Sequence, residues 1–390
     1  MFITIITFVV ILGVLILIHE MGHFLSARAF GVKAEEFGFG YPPRIFGYVK
    51  GNDNKWKRVG KKEDAADYKN TVWSLNWLPL GGFVRIKGED GQDKDSPDHD
   101  SFSSRPVYQR FIMLFAGVFM NFLFCFLLLT IGFTSGIPTM VDDNPDPSMK
   151  IENQKVVIMS VEPDSPAFEA GLIPGDRIFQ INGTDITAVS QTQDLISQSQ
   201  DNPMEIVVFR GETMIDRELT PVLDEDRNRA LIGIGLVKTA TVRYKWYQSI
   251  YKAGQNTVGL TVAIITGFGR IISDLFSGNK VSAEVAGPIG IAVLTGQVVQ
   301  LGWIYILQFA ALLSLNLAII NLLPIPALDG GRILFIIIEK IKGSPVRQSL
   351  EARIHQYGFL FILVLMAVVI FNDVRNYGAK IWGAISSLFS

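Results

Sequence analysis

Residues Ile18-His19-Glu20-Met21-Gly22-His23 (IHEMGH) close a run, Phe2 to Ile18, that contains no charged residue. On a helix His19 and His23 stand four positions apart, hence on one face, where both imidazoles reach a single ion. Glu20 lies beside that ion and not between the two ligands, which suits a general base acting on water. HExxH is short and arises by chance, and histidines on apolar helices are often only satisfied by neighbours. Yet the chain has four histidines in 390 residues, and two stand at this spacing. An ionisable cluster at the end of an apolar span is costly, so it marks a functional site.

Working outward, the composition fits that address. Mean hydropathy is +0.31, with 49% hydrophobic and 18% charged residues. Such long uncharged runs read as a polytopic membrane protein with a soluble part. The net charge of −2 gives no reason to expect nucleic acid as a partner. The single cysteine, Cys125, excludes an internal disulfide framework. The N-terminal run has no basic n-region and no small-residue cleavage site, so it is read as a retained span.

The first span, about Phe2 to Phe24, is followed closely by Arg28 and Lys33, and Arg105 and Arg110 flank the next. The positive-inside rule then puts the N-terminus outside and the intervening loop in the cytoplasm. In that loop GFGYPPR (Gly38 to Arg44) reads as turns. Trp73 to Lys87 (WSLNWLPLGGFVRIK) is too short to span as a helix and is split at Pro79-Leu80-Gly81-Gly82. Phe83 to Lys87 alternates like a strand, which predicts a hairpin or looped strand dipping into the membrane. An interfacial hairpin is the alternative. The acidic stretch Glu89 to Asp100 reads as solvated, His99 included. A second span covers about Phe111 to Phe133, with Asn121 as a helix–helix hydrogen-bonding residue.

From Ile151 the pattern is that of a soluble α+β module: strands at Val156–Val161 and Arg177–Ile181, a helix at Val189–Gln198, and a hairpin around Gly211. Trp246 to Phe276 is interrupted by glycines and polar residues and reads as an amphipathic segment on the outer surface. A third span begins near Trp303 and breaks at Pro324 and Pro326, so Asp329 is expected on unwound chain. Basic residues follow (Arg332, Lys340, Lys342), which returns this end to the side of His19 and His23. A last span covers about Tyr357 to Phe371.

A zinc hydrolase needs three protein ligands and one open position. The metzincin extension is absent, because Ser26 and Ala29 stand where glycine and histidine are required. Glu35 and Glu36 have no helical run behind them. Asp329, brought back to the same depth and face, is the better third ligand.

VEPDSPAFEAGLIPGDRIFQING (Val161 to Gly183) resembles a bacterial-type PDZ domain, whose groove adds an extended peptide as a strand; a spacer or size filter is the other reading. HEMGH, this module and NLLPIPALDGG (Asn321 to Gly331) together resemble the site-2 protease family of intramembrane zinc metalloproteases, of the regulator of sigma-E protease (RseP) type. The likeness implies zinc held by His19, His23 and Asp329, with Glu20 as base. It implies substrate contacts at Asn316 and Asn321, at Pro324 and Pro326 of the same motif, and at Gly82, Phe83 and Val84 of a membrane-reentrant β element. One PDZ module, where many relatives of that type have two, is a departure.

The expected fold is thus a polytopic α-helical membrane protein of about four transmembrane helices, with one inserted extracytoplasmic α+β PDZ domain and a cytoplasmic re-entrant β element. Its expected divisions are a first helix (1–27), a cytoplasmic loop (28–107, β element about 73–90) and a second helix (108–135). Then come the PDZ domain (150–222), a periplasmic amphipathic or linker region (223–300), a third helix with the LDG motif (301–331) and a cytoplasmic connection (332–354). A fourth helix (355–372) and a periplasmic tail (373–390) complete it. The resemblance implies a bacterial inner-membrane enzyme that cuts single-span proteins, such as an anti-sigma factor or remnant signal peptides, after prior trimming. A non-catalytic adaptor would have no reason to keep Glu20. A metal transporter would need polar residues along several spans, where Asn121, Asn316 and Asn321 stand almost alone.

Overall fold

The structure, a computed structural model, describes residues 2–89, 98–141, 149–211, 213–224, 229–277, 287–344 and 346–386. It divides into two compact units, Met1–Leu129 with Lys252–Ser390, and Thr130–Tyr251.

The first unit opens with α1 (Phe2–Ala29), an apolar helix that runs past His23. Three strands follow: β1 (Ala34–Lys50), β2 (Trp56–Val59) and β3 (Val72–Ile86), in the sheet order β2-β1-β3. The expected turns of Gly38–Arg44 lie within β1. The expected hairpin of β3 is more interleaved than its sequence suggested, because its two arms do not pair with each other. Phe37 sits opposite both Trp73 and Val84, and Gly38 opposite both Ser74 and Phe83, so the first arm of β1 lies between the arms of β3. The second arm of β1 flanks the other side, Tyr48 opposite Trp73. Gly82–Ile86 is thereby an edge. Gly81 (φ +80°) turns the chain between the arms, and a Cβ there would lie 2.6 Å from Ile16 of α1. Glu35 and Glu36, the alternative ligands, are held by Arg85 and Arg44, which takes both out of contention.

Helix α2 (Val107–Ser135) meets α1 where side chains are smallest: a Cβ on Gly22 would lie 2.3 Å from the carbonyl oxygen of Ala116. Small residues allow such approach within a bilayer, where packing replaces the hydrophobic drive.

The second unit contains β4 (Ile137–Met140), β5 (Lys150–Val161), α3 (Pro166–Glu169), β6 (Arg177–Ile181), β7 (Thr184–Asp185), α4 (Val189–Gln198), β8 (Met204–Arg210), β9 (Thr213–Leu219), β10 (Val222–Asp224), β11 (Arg229–Leu231) and β12 (Ile234–Arg243). Its main sheet runs β4-β12-β5-β6-β8-β9, with β7 on β6. Alternating apolar residues of β5, β6 and β8 (Val156, Ile158, Ile178, Ile181, Ile206, Val208) form the core with Ile196 of α4 and Leu172. This is the PDZ insert. It is larger than the expected 150–222, because β4 and β12 close the sheet from outside those bounds. A groove between α4 and Ala230–Leu236 is lined by Gln193, Ile196, Ser197, Ile232 and Leu236.

Region 223–300 is not a linker: after β12 come α5 (Trp246–Ser277) and α6 (Pro288–Leu301). Gly287 precedes α6 and Pro288 opens it. Among the described residues five helices, not about four, are long and apolar enough to cross a membrane by length and composition: Ile3–Ala29, Val107–Ser135, Trp246–Asp274, Trp303–Leu322 and Ser349–Asn376. Helix α7 (Trp303–Leu322) buries one stripe, Ala311, Ser314, Leu315, Ala318 and Ile319. It ends before Pro324, as two prolines require. Asp329 is then the first residue of α8 (Asp329–Lys342), not a residue of the unwound link. The last helix, α9 (Gln348–Ser386), continues through most of the expected 373–390 tail. Of the acidic stretch, 90–97 lies outside the described residues, and His99 is exposed.

Candidate metal centre

Both histidines of α1 are buried and point at the same place. His19 Nε2 and His23 Nε2 are 3.1 Å apart. Asp329 Oδ2 lies 2.9 Å from His19 Nε2 and 3.5 Å from His23 Nε2. Four bonds of 2.0–2.2 Å in a tetrahedron separate ligand atoms by roughly 3.3–3.6 Å, so one of the three pairs has this spacing and the other two need to part by only a few tenths of an ångström to hold one zinc ion. Among the described residues these three form the only His/Cys/Asp/Glu group able to hold a metal.

The tautomer of His23 agrees. His23 Nδ1 donates to the carbonyl oxygen of Met113 at 2.8 Å, which leaves a lone pair on Nε2. Asp329 Oδ2 is buried and makes no hydrogen bond of good geometry, close as the imidazoles are. Two imidazole nitrogens and a buried carboxylate oxygen that converge in this way form the arrangement of a cation site. The donor set, two imidazoles and one carboxylate, is that of hydrolytic zinc.

Glycines make room for this geometry. A Cβ on Gly117 of α2 would fall 2.3 Å from His23 Nε2. Gly330 and Gly331 let the start of α8 close on the preceding chain, where Cβ atoms would meet the carbonyl oxygens of Leu323 (2.2 Å) and Ile325 (2.4 Å). The LDGG motif is thus a close-packing requirement as well as the source of Asp329.

The carboxylate of Glu20 accepts a hydrogen bond from Val84 N–H at 3.0 Å, so the edge arm of β3 reaches the centre. Of the other expected contacts, Gly82 packs on Leu17 and on the carbonyl oxygen of Gly38, and Phe83 pairs with Gly38. Asn316 is half-buried and donates its amide to Leu312 of its own helix at 2.9 Å. Asn321 is half-buried in the last turn of α7, Pro324 is exposed, and Pro326 packs against α9. Neither asparagine bonds the triad among the described residues.

The model of peptidase family M50 matches residues 7–59 and 59–365. The chain belongs to peptidase family M50. A Fusobacterium nucleatum relative of this family is 33% identical over 378 residues, covering 94% of this chain and 97% of its own. The regulator of sigma-W protease RasP of Bacillus subtilis is 28% identical over 452 residues, covering 96% and 98%. The PDZ domain of an SdrC-like protein from Listeria monocytogenes aligns with 22% of this chain and 92% of its own, at 26% identity and a TM-score of 0.21. As a member of M50 the chain is a multi-pass, site-2 type intramembrane zinc metalloprotease.

Sequence reasoning missed two partners of the centre: Met113, whose carbonyl carries no sequence signal, and Asn121, read only as a helix–helix contact. The pairing of Glu20 with Val84 was also unforeseen, since nothing local links them.

Proposed function

We propose that this M50 protease cuts single-span membrane proteins inside the bilayer once their outer side has been trimmed, with an anti-sigma factor or remnant signal peptides as substrates. One observation carries the reading: three metal-ligand atoms meet at one point in apolar helices, with Glu20 held beside them on a strand edge. The name of the Bacillus subtilis relative, regulator of sigma-W protease, supports a regulatory substrate.

His19, His23 and Asp329 hold the zinc. When bound, zinc supplies Lewis acidity that polarises a scissile carbonyl and acidifies water. A membrane helix hides its peptide groups in internal hydrogen bonds, so the substrate unwinds first. The freed segment adds as a strand to Gly82-Phe83-Val84. Asn321 offers its amide to unpaired backbone groups, and Asn316 offers its carbonyl oxygen. Pro324 and Pro326 keep the link between α7 and α8 from winding into a helix that would fill the cleft. Glu20 takes a proton from water as its oxygen adds to the scissile carbonyl carbon, then gives that proton to the amide nitrogen as the C–N bond breaks. The excess of lysine and arginine beside Ala29, Val107 and Lys342 supports a centre near the cytoplasmic side and a PDZ domain on the outer face. There the groove beside α4 meets the trimmed substrate, by binding its end or by excluding untrimmed chains.

The test is cleavage of a tagged, pre-trimmed single-span reporter by the wild-type chain and by Glu20→Gln. The variant should keep its zinc and lose cleavage by about 10²–10⁴-fold. Equal cleavage by the two would overturn the reading.

A further inference from the structure

His355 belongs to α9 and has no part in the chemistry above. Its surroundings give it one. The link between α7 and α8, Leu323 to Leu328, must satisfy its own backbone groups. Pro324 and Pro326 have no N–H. Leu323 N–H bonds Ile320, Ile325 N–H bonds Leu323, and Leu328 N–H bonds Ile325, all locally. Ala327 alone reaches to another helix: its N–H donates to His355 Nδ1 at 2.9 Å. Ala327 is also the non-glycine residue of this link with positive φ, +78°. An alanine in that region carries backbone strain and stays there only when neighbours hold it. It is two residues from Asp329.

The contact is built on a close approach. One turn along α9 stands Gly358, where a Cβ would fall 2.3 Å from Pro326 Cβ and 2.7 Å from its carbonyl oxygen. His355 and Gly358, at i and i+3, share one helix face, and that face lies on the link. The ring of Phe335 from α8 closes the other side, with centroids 5.5 Å apart. An imidazole that accepts at Nδ1 carries its proton on Nε2, and Nε2 is buried without a partner. His355 is therefore a neutral acceptor boxed between α8 and the link.

We propose that His355 is a positioning residue: by holding Ala327 N–H it fixes the strained turn that delivers Asp329 Oδ2 to His19 and His23. The inference rests on the protease reading, through Asp329 as a ligand.

The experiment uses the full chain in detergent micelles, with zinc affinity read by competition against a chromophoric chelator and kcat and KM read on the single-span reporter. His355→Phe keeps a ring but has no acceptor. His355→Asn places its oxygen near the position of Nδ1, whereas His355→Gln reaches towards that of Nε2. The Phe and Gln variants should bind zinc on the order of tenfold or more weakly, with kcat lowered and KM within about twofold, and Asn should restore most of both. If Phe does not fold, the contrast of Asn with Gln carries the test. Wild-type zinc affinity in Phe or Gln, or an Asn variant as impaired as Gln, overturns the inference alone. A wild-type chain that binds no zinc overturns the protease reading and this inference with it.

Discussion

The backbone N–H of Val84 donates to Oε2 of Glu20 over 3.0 Å, joining a sheet edge to a helix 64 residues earlier. Val84 pairs with Phe37 on the inner side of its arm, and among the described residues no strand lies on the arm's outer side. The bond aims the carboxylate without drawing on the sheet. Val84→Pro removes the donor at an edge, where proline is tolerated. Zinc content should stay unchanged while kcat on the reporter falls on the order of 10–100-fold, the usual cost of losing an outer-shell orienting bond. An unchanged kcat would mean that Glu20 is aimed by something else.

Asn121 stands behind His19. Its Nδ2 lies 3.5 Å from His19 Nδ1, and its Oδ1 is buried without a partner. With the amide turned over, its oxygen accepts from His19 Nδ1–H. That tautomer leaves the Nε2 lone pair facing Asp329, as the metal requires. Asn121→Leu should therefore weaken zinc binding by about 10–100-fold in chelator competition, and Asn121→Asp should retain it. Equal zinc affinity in Asn121→Leu and the wild-type chain would exclude Asn121 as the orienting group.

Much of the centre was legible because its signals are local. The i, i+4 spacing of His19 and His23 needs only a helix, and Pro324 and Pro326 mark the break before Asp329. The interleaving of β1 and β3 was not legible, because Phe37 finds partners in two arms of a strand separated by a turn. Helix α5 was hidden for another reason. Its glycines, threonines and glutamines hold the mean hydropathy of its apolar window to 1.3, against 2.0–2.5 for the other four. Met113, Asn121 and His355 act only through helix–helix distances, to which no periodicity in the chain points.

Gly117→Ala tests those distances. The added methyl falls 2.3 Å from His23 Nε2, and His23 Nδ1 is tied to Met113 one turn earlier on the same helix. The ring cannot swing aside without leaving that carbonyl. Zinc affinity and cleavage should fall at least on the order of 10–100-fold. Gly259→Ala is the control, because its Cβ meets nothing within 4 Å; a helical alanine there should stabilise α5 by up to about 1 kcal/mol and leave zinc untouched. Full zinc affinity in Gly117→Ala would show that α1 and α2 part easily at this point.

The PDZ unit has a pH dependence of its own. Asp176 is fully buried, and burial alone would raise its pKa. Arg210 Nε and Nη2 each donate to it at 2.8 Å and Ile173 N–H at 3.0 Å, and together they hold its carboxyl below the usual range. A folded pKa below the unfolded one means stability fully present above about pH 4, the unfolded value, and lost as pH falls through the folded value. Arg210 is partly exposed, so solvent screening keeps the contribution near 1–2 kcal/mol, an order-of-magnitude figure. Asp176→Asn should lower the denaturant midpoint of this unit at pH 7 by that amount. The gap to wild type should then narrow on acidification below about pH 4. Followed by a probe within Thr130–Tyr251, parallel midpoints for the two chains down to acid pH would mean that the Asp176 carboxyl titrates alike in the folded and unfolded states.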